Sequence, residues 1–198
     1  MKHLRCLLII FGLILGSASA GMAQDLEKGN AAWEKKKWAA ALREFVPLAQ
    51  QGDAVAQGIL GTAYIEGKGV KQDYVLGAKW TRRSADQGDA YAQFLMGMFY
   101  AEGQGVPQNF ATAVKWFRKS AEQGTLQAHY MLGQAYGSGD GVSKNNVSAH
   151  MWFNIAASLG DPQAAKYRDI VARQMTSVEL AKAQKRASAC VRNNYKGC

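Results

Sequence analysis

The sequence predicts an all-α solenoid of stacked helix-turn-helix repeats. Three observations carry that prediction. A pattern recurs every 36 residues, each period holds two helical segments with capping residues, and a glycine-rich loop joins them in a fixed register. Gly52-Asp53-Ala54-Val55-Ala56-Gln57 returns at Gly88, Gly124 and Gly160, each 36 residues after the last. Gly61, Gly97 and Gly133 keep the spacing, as do Tyr64, Tyr100 and Tyr136, and Trp80, Trp116 and Trp152.

In chain order, residues 1–23 read as a secretory signal peptide. Lys2 and Arg5 give a basic start, Cys6 to Leu15 is apolar, and Ala18-Ser19-Ala20 and Gly21-Met22-Ala23 offer two small-residue cleavage motifs. The apolar run is about half the roughly 20 residues a membrane-spanning helix requires, so no stable membrane insertion is expected after cleavage. The mature chain is expected in the periplasm or outside the cell. Residues 24–51 form an expected N-terminal capping helix pair, with Gly29, Trp33, Ala40 and Phe45 spaced as in a repeat that lacks the long loop.

Repeats are expected over 52–87, 88–123 and 124–159. Asp53 and Asp89 stand as N-caps of the first helix, and Thr125 can accept the same backbone N–H bond. The first helix is expected to run to Glu66, Glu102 or Tyr136. The loops at Gly67-Lys68-Gly69-Val70, Gly103-Gln104-Gly105-Val106 and Gly139-Asp140-Gly141-Val142 supply positions where positive φ costs little. Asp73, Asn109 and Asn145 then cap the second helix, whose Leu76, Trp80 and Ala85 are expected to form a buried stripe. A glycine within the first helix costs about 1 kcal/mol against Ala. Its return at Gly61, Gly97 and Gly133 therefore implies helices that approach too closely for a Cβ. Residues 160–198 are expected to close the array with capping helices, Ser177 as an N-cap, and a tail closed by Cys190 and Cys198.

Those two cysteines follow from the export reading. In an oxidising compartment a Cys190–Cys198 disulfide is the expected state, contributing roughly 2 to 3 kcal/mol by closing a short loop. A thiolate metal site lacks a second Cys pair and a nearby His.

The pattern Ala-x-x-x-Leu-Gly-x-x-Tyr-x-x-Gly-x-Gly-Val, as in Ala56 to Val70, followed by Asp or Asn and Ala-x-x-Trp, resembles the Sel1 repeat, a relative of the tetratricopeptide repeat. The resemblance covers about Gly52 to Ser188. It implies a right-handed α/α solenoid that binds a protein or peptide in the concave groove lined by the first helix of each pair. Carried across by register, the groove positions are Asn30, Trp33 and Glu34 in the cap, and Val55, Gly58, Thr62, Ile65 and Glu66 in the first repeat. Tyr91, Phe94, Met98 and Glu102 follow in the second, and Gln127, Tyr130 and Gln134 in the third. Tyr91, Phe94, Met98 and Tyr130 are the expected recognition patch, the alternative being that they are buried between adjacent helices.

The resemblance points away from catalysis, although cysteine-rich relatives are associated with β-lactam or peptidoglycan binding and weak hydrolysis. An envelope hydrolase of that kind is thus the alternative function, but those relatives carry a Cys pair in every repeat and this chain has none there. His129 and His150 fall at variable positions, without a metal-ligand spacing, and are expected at the surface or in the groove. No cofactor, metal or catalytic residue is expected. The chain carries 24 Lys and Arg against 15 Asp and Glu, for a net charge of +9. Losing Lys2 and Arg5 leaves +7, which favours an acidic partner. The basic residues do not cluster into a nucleic-acid-binding arm, and a monomer is expected.

Overall fold

The computed structural model describes residue 21 and residues 23–198. The expected signal segment falls almost wholly outside these described residues. Among them are ten helices and no strand. After α1 (23–34) come α2 (Trp38–Gln50), α3 (Ala54–Glu66), α4 (Tyr74–Asp86), α5 (Ala90–Glu102) and α6 (Phe110–Ala121). The rest are α7 (Leu126–Ser138), α8 (Asn146–Ser158), α9 (Pro162–Ala172) and α10 (Ser177–Arg192). From α2 to α9 each helix packs on its successor, while α10 lies back against α8. This is the all-α solenoid, with odd-numbered helices as the first of each pair and even-numbered helices as the second. No helix among the described residues is long and apolar enough to cross a membrane.

Capping sets the helix starts. Asp53 and Asp89 accept from the N–H groups of Ala56 and Ala92 at 2.7 and 2.6 Å, and Asp73, Asn109 and Asn145 do the same for α4, α6 and α8. Thr125 makes no such bond, so α7 starts without a side-chain cap. The N-cap of α10 is Thr176 and not Ser177. Glu179 lies three residues beyond Thr176 and reaches back to its N–H, closing a reciprocal pair that Ser177 is one residue too late to make. Helix α7 runs to Ser138, two residues past Tyr136, because Gly139 takes the left-handed C-cap in the same register as Gly67 and Gly103.

Pair geometry explains the glycine columns. A Cβ on Gly133 would lie 2.6 Å from the Phe153 ring, and one on Gly29 equally close to Phe45. Gly97 meets Phe117 in the same way. The second glycine of each loop acts between repeats: Gly69, Gly105 and Gly141 have positive φ and press on the backbone of Trp38, Tyr74 and Phe110, at the start of the preceding second helix. Any side chain there would push neighbouring repeats apart.

The buried stripe of the second helix departs from expectation at Leu76, which is exposed. Gly77, Thr81 and Ser84 face α3 instead, against Gly61 and Gly58, and these small residues let α4 approach so closely that the stripe turns one position away from Leu76, while Ala85 is buried as expected. Trp80 is half-buried, whereas Trp116 and Trp152 are buried. A polar ladder ties the repeats together. Gln87 donates to Gln57 Oε1 at 2.8 Å and Gln123 to Gln93 Oε1 at 2.9 Å, and each donates as well to the glycine carbonyl of the preceding turn. Gln57 and Gln93 in turn donate to the carbonyls of Ala49 and Ala85.

Candidate functional site

The odd-numbered helices form the candidate binding face. Trp33 from α1, Val55, Gly58, Ile59 and Thr62 from α3, and Tyr91 and Leu95 from α5 line one groove of about 270 Å³, with Ser84 at its floor and Asp89 at its edge. Five residues placed there by sequence register, Trp33, Val55, Gly58, Thr62 and Tyr91, are thus brought together. Val55 and Tyr91 are more than half exposed, so the rim presents apolar surface to solvent. Ile59 and Leu95 were missed in the sequence, although each follows a groove position by one residue on its helix.

The expected four-residue patch does not form one surface. Tyr91 is exposed and sits 6.0 Å from Phe94, ring centre to ring centre. Phe94 and Met98 are half-buried against the core, Phe94 packing 6.0 Å from Phe117. Tyr130 packs on Phe153 and Tyr167 at 5.7 and 6.0 Å. Phe94, Met98 and Tyr130 therefore serve largely as inter-helix packing, because a ring at their register position lies over the Phe of the second helix. Asn30, Glu66, Glu102 and Gln127 are exposed, while Ile65 is half-buried. Gln134, whose amide donates to the Tyr130 hydroxyl at 3.0 Å, lines a second concavity with Phe153, Tyr167 and Ile170.

Within the repeats, charge is partitioned between first and second helices. α3, α5 and α7 carry no Lys or Arg, and end in Glu66, Glu102 and Ser138. The cations lie on the second helices: Lys79, Arg82 and Arg83 on α4, and Lys115, Arg118 and Lys119 on α6. Arg82 donates to the Tyr100 hydroxyl and Arg118 to that of Tyr136, while Arg83 stacks over Trp80. Lys68 lies over the rings of Trp33 and Trp38 while paired with Glu66. Positive charge therefore meets the groove at its Trp33 end only, through Lys68, which Glu66 pairs.

Both histidines are buried, contrary to the expectation of surface or groove positions. His129 occupies the column of Gln57 and Gln93, which points into the repeat interface, and it is sealed between Trp152 and Tyr195 at 5.6 and 4.9 Å. Burial pushes its pKa down to about 4. Burial also lowers that of His150, helped by the nearby Arg168 charge. The two rings are neutral at pH 7 and are held inside the packing. Cys190 and Cys198 form the expected disulfide, with a Cα separation of 5.4 Å.

The Sel1 repeat model matches residues 54–89, 90–125 and 126–161, more than half of the chain. The chain belongs to the Sel1 repeat family. Among solved structures, this Sel1 repeat chain is similar to c5321, described as a protective antigen present in uropathogenic Escherichia coli strains and displaying an SLR fold. The identity is 30% and the TM-score 0.73, over 79% of this chain and 33% of that one. A Sel1 repeat protein from Oxalobacter formigenes is 34% identical with a TM-score of 0.67, covering 71% of this chain and 56% of that one. The Sel1 chain thus spans about a third and just over half of the lengths of these two proteins. Cysteine-rich protein B of Helicobacter pylori shares the fold at 16% identity and a TM-score of 0.52, over 65% of this chain and 95% of that one. No curated protein sequence matches the chain.

Proposed function

We propose that this Sel1 repeat protein is an exported, non-catalytic adaptor that works as a monomer and holds a protein or peptide partner against its odd-numbered helices. One observation carries the reading: the groove bounded by Trp33, Val55, Gly58, Thr62 and Tyr91 presents the apolar side chains of Val55 and Tyr91 to solvent, each more than half exposed. Aromatic residues at a concave, water-accessible site are what interface centres favour. The buried, neutral histidines support a binding role over catalysis, since a general base must reach its substrate. The disulfide supports an oxidising compartment, periplasmic or extracellular.

The test is affinity capture from envelope extracts with wild type and a Val55→Glu/Tyr91→Ala variant. Both positions are exposed, so circular dichroism should be unchanged. Partner proteins recovered with wild type should be absent from the variant. Identical protein sets from the two would refute a groove-binding adaptor.

A further inference from the structure

The first repeat departs from its neighbours at two facing positions. In the second and third repeats, Phe94 and Tyr130 on the first helix pack over Phe117 and Phe153 on the second, with ring centres 6.0 and 5.7 Å apart. In the cap, Leu26 and Phe45 hold the same register positions. In the first repeat, the corresponding residues are Gly58 and Thr81. Both large side chains of the pair are missing there, unlike in the cap and in the two following repeats.

The bulk missing at Gly58 coincides with the groove, which has Gly58 in its lining, while Thr81 packs against Gly61. The Ser84 hydroxyl, which lines the groove, is buried and has no hydrogen-bond partner. A Cβ on Gly58 would lie 3.3 Å from Ser84 Oγ. One repeat later, Ser120 in the same column donates to the Ala90 carbonyl at 2.6 Å, a bond that Ser84 does not make. Buried polar atoms without partners are uncommon in finished packing.

We infer that the Gly58 notch receives an aromatic side chain from the partner, which takes the place that Phe94 and Tyr130 occupy in the following repeats. This rests on the adaptor reading and names the anchor that the groove would take. The occupant is a peptide segment whose aromatic residue is flanked by uncharged or basic residues. Asp89 is the one charged residue lining the groove, Lys68 over the Trp33 ring is already paired with Glu66, and α3 and α5 offer no Lys or Arg to pair with a carboxylate. Tyr91 forms the exposed wall against which the incoming ring would pack edge to face.

The experiment follows backbone amide shifts of the isotope-labelled protein during titration with N-acetyl-tyrosinamide, N-acetyl-phenylalaninamide, N-acetyl-alaninamide and N-acetyl-tyrosine. The two aromatic amides should give saturable shifts centred on Gly58, Thr62 and Ala92. The alanine amide should bind at least tenfold more weakly, and the tyrosine carboxylate severalfold more weakly than its amide. Gly58→Phe, which fills the notch from within, should abolish the shifts, and Tyr91→Ala, which leaves the core untouched, should weaken them severalfold. No saturable shift with either aromatic amide, or undiminished shifts in both variants, overturns the inference. Envelope capture with Gly58→Phe separates the two readings. Partners lost with Gly58→Phe support the anchor. Partners kept with Gly58→Phe but lost with Val55→Glu/Tyr91→Ala leave the adaptor standing and remove the notch.

Discussion

His129 stands where Gln57 and Gln93 stand in the two preceding repeats, and the substitution changes what the interface tolerates. The glutamines donate to the backbone of the preceding helix and accept from the next rung of the ladder. At the third rung the partner position is Leu159, so the ladder stops and the imidazole is enclosed by rings. The pKa of His129 is about 4 in the folded protein against 6.5 for a free histidine. As pH falls, the unfolded chain takes up the proton first. The stabilisation is therefore complete above about pH 6.5 and is lost progressively as pH drops toward 4, by at most about 3 kcal/mol. His150, shifted in the same direction, adds to the slope. Urea unfolding of wild type should show this loss between pH 7 and pH 4.5, and His129→Gln should leave only the part due to His150. An unchanged slope in His129→Gln would place the effect elsewhere.

At the scale of elements, the tail after α10 closes the end of the array. The Cys190–Cys198 bond folds the chain back so that Tyr195 covers His129 and lies against Gly124. The Tyr195 N–H donates to the Cys190 carbonyl at 2.9 Å, which fixes the turn. Removing the bond with Cys190→Ser/Cys198→Ser should cost about 2 to 3 kcal/mol in the chain-entropy picture. It should also let water reach His129, raising its pKa toward the ordinary value and flattening the acid slope. Unfolding of the double variant at pH 7 and pH 5 checks both effects. A reduced midpoint with the full acid slope retained would mean that Tyr195 stays in place without the disulfide.

For the whole molecule, sequential packing of α2 to α9 makes stability a sum over neighbouring units, so damage should stay local. Phe45 is fully buried between α1 and α2, against Gly29. Phe45→Ala should remove about 3 to 5 kcal/mol of packing from the first units. Hydrogen exchange read by mass spectrometry should show α1 to α3 losing protection while α7 to α10 keep theirs. Uniform loss along the chain would show one cooperative unit. The groove lies in the segment expected to loosen, so Phe45→Ala should weaken partner capture without altering any groove side chain.

By itself the sequence determined the repeat, its caps and its close helix crossings, because each depends on residues a fixed number of positions apart. Asp53, Gly61 and Gly67 do their work within one helix pair, and a 36-residue register displays them. The Cys190–Cys198 pairing was legible for a similar reason, since only a short turn separates the two. Only the tertiary structure decided which register positions face solvent. Phe94, Met98 and Tyr130 share a column with Gly58 or sit one turn from it, yet they pack inward while Gly58 opens a groove. That outcome depends on what the opposing helix offers, Phe117 and Phe153 in two repeats and Thr81 in the other. The same cause buried His129, whose surroundings come from α8 and the tail some 20 to 70 residues further along the chain. Exposure at a repeat position is a property of the facing pair, and periodicity along one strand of sequence reports only half of it.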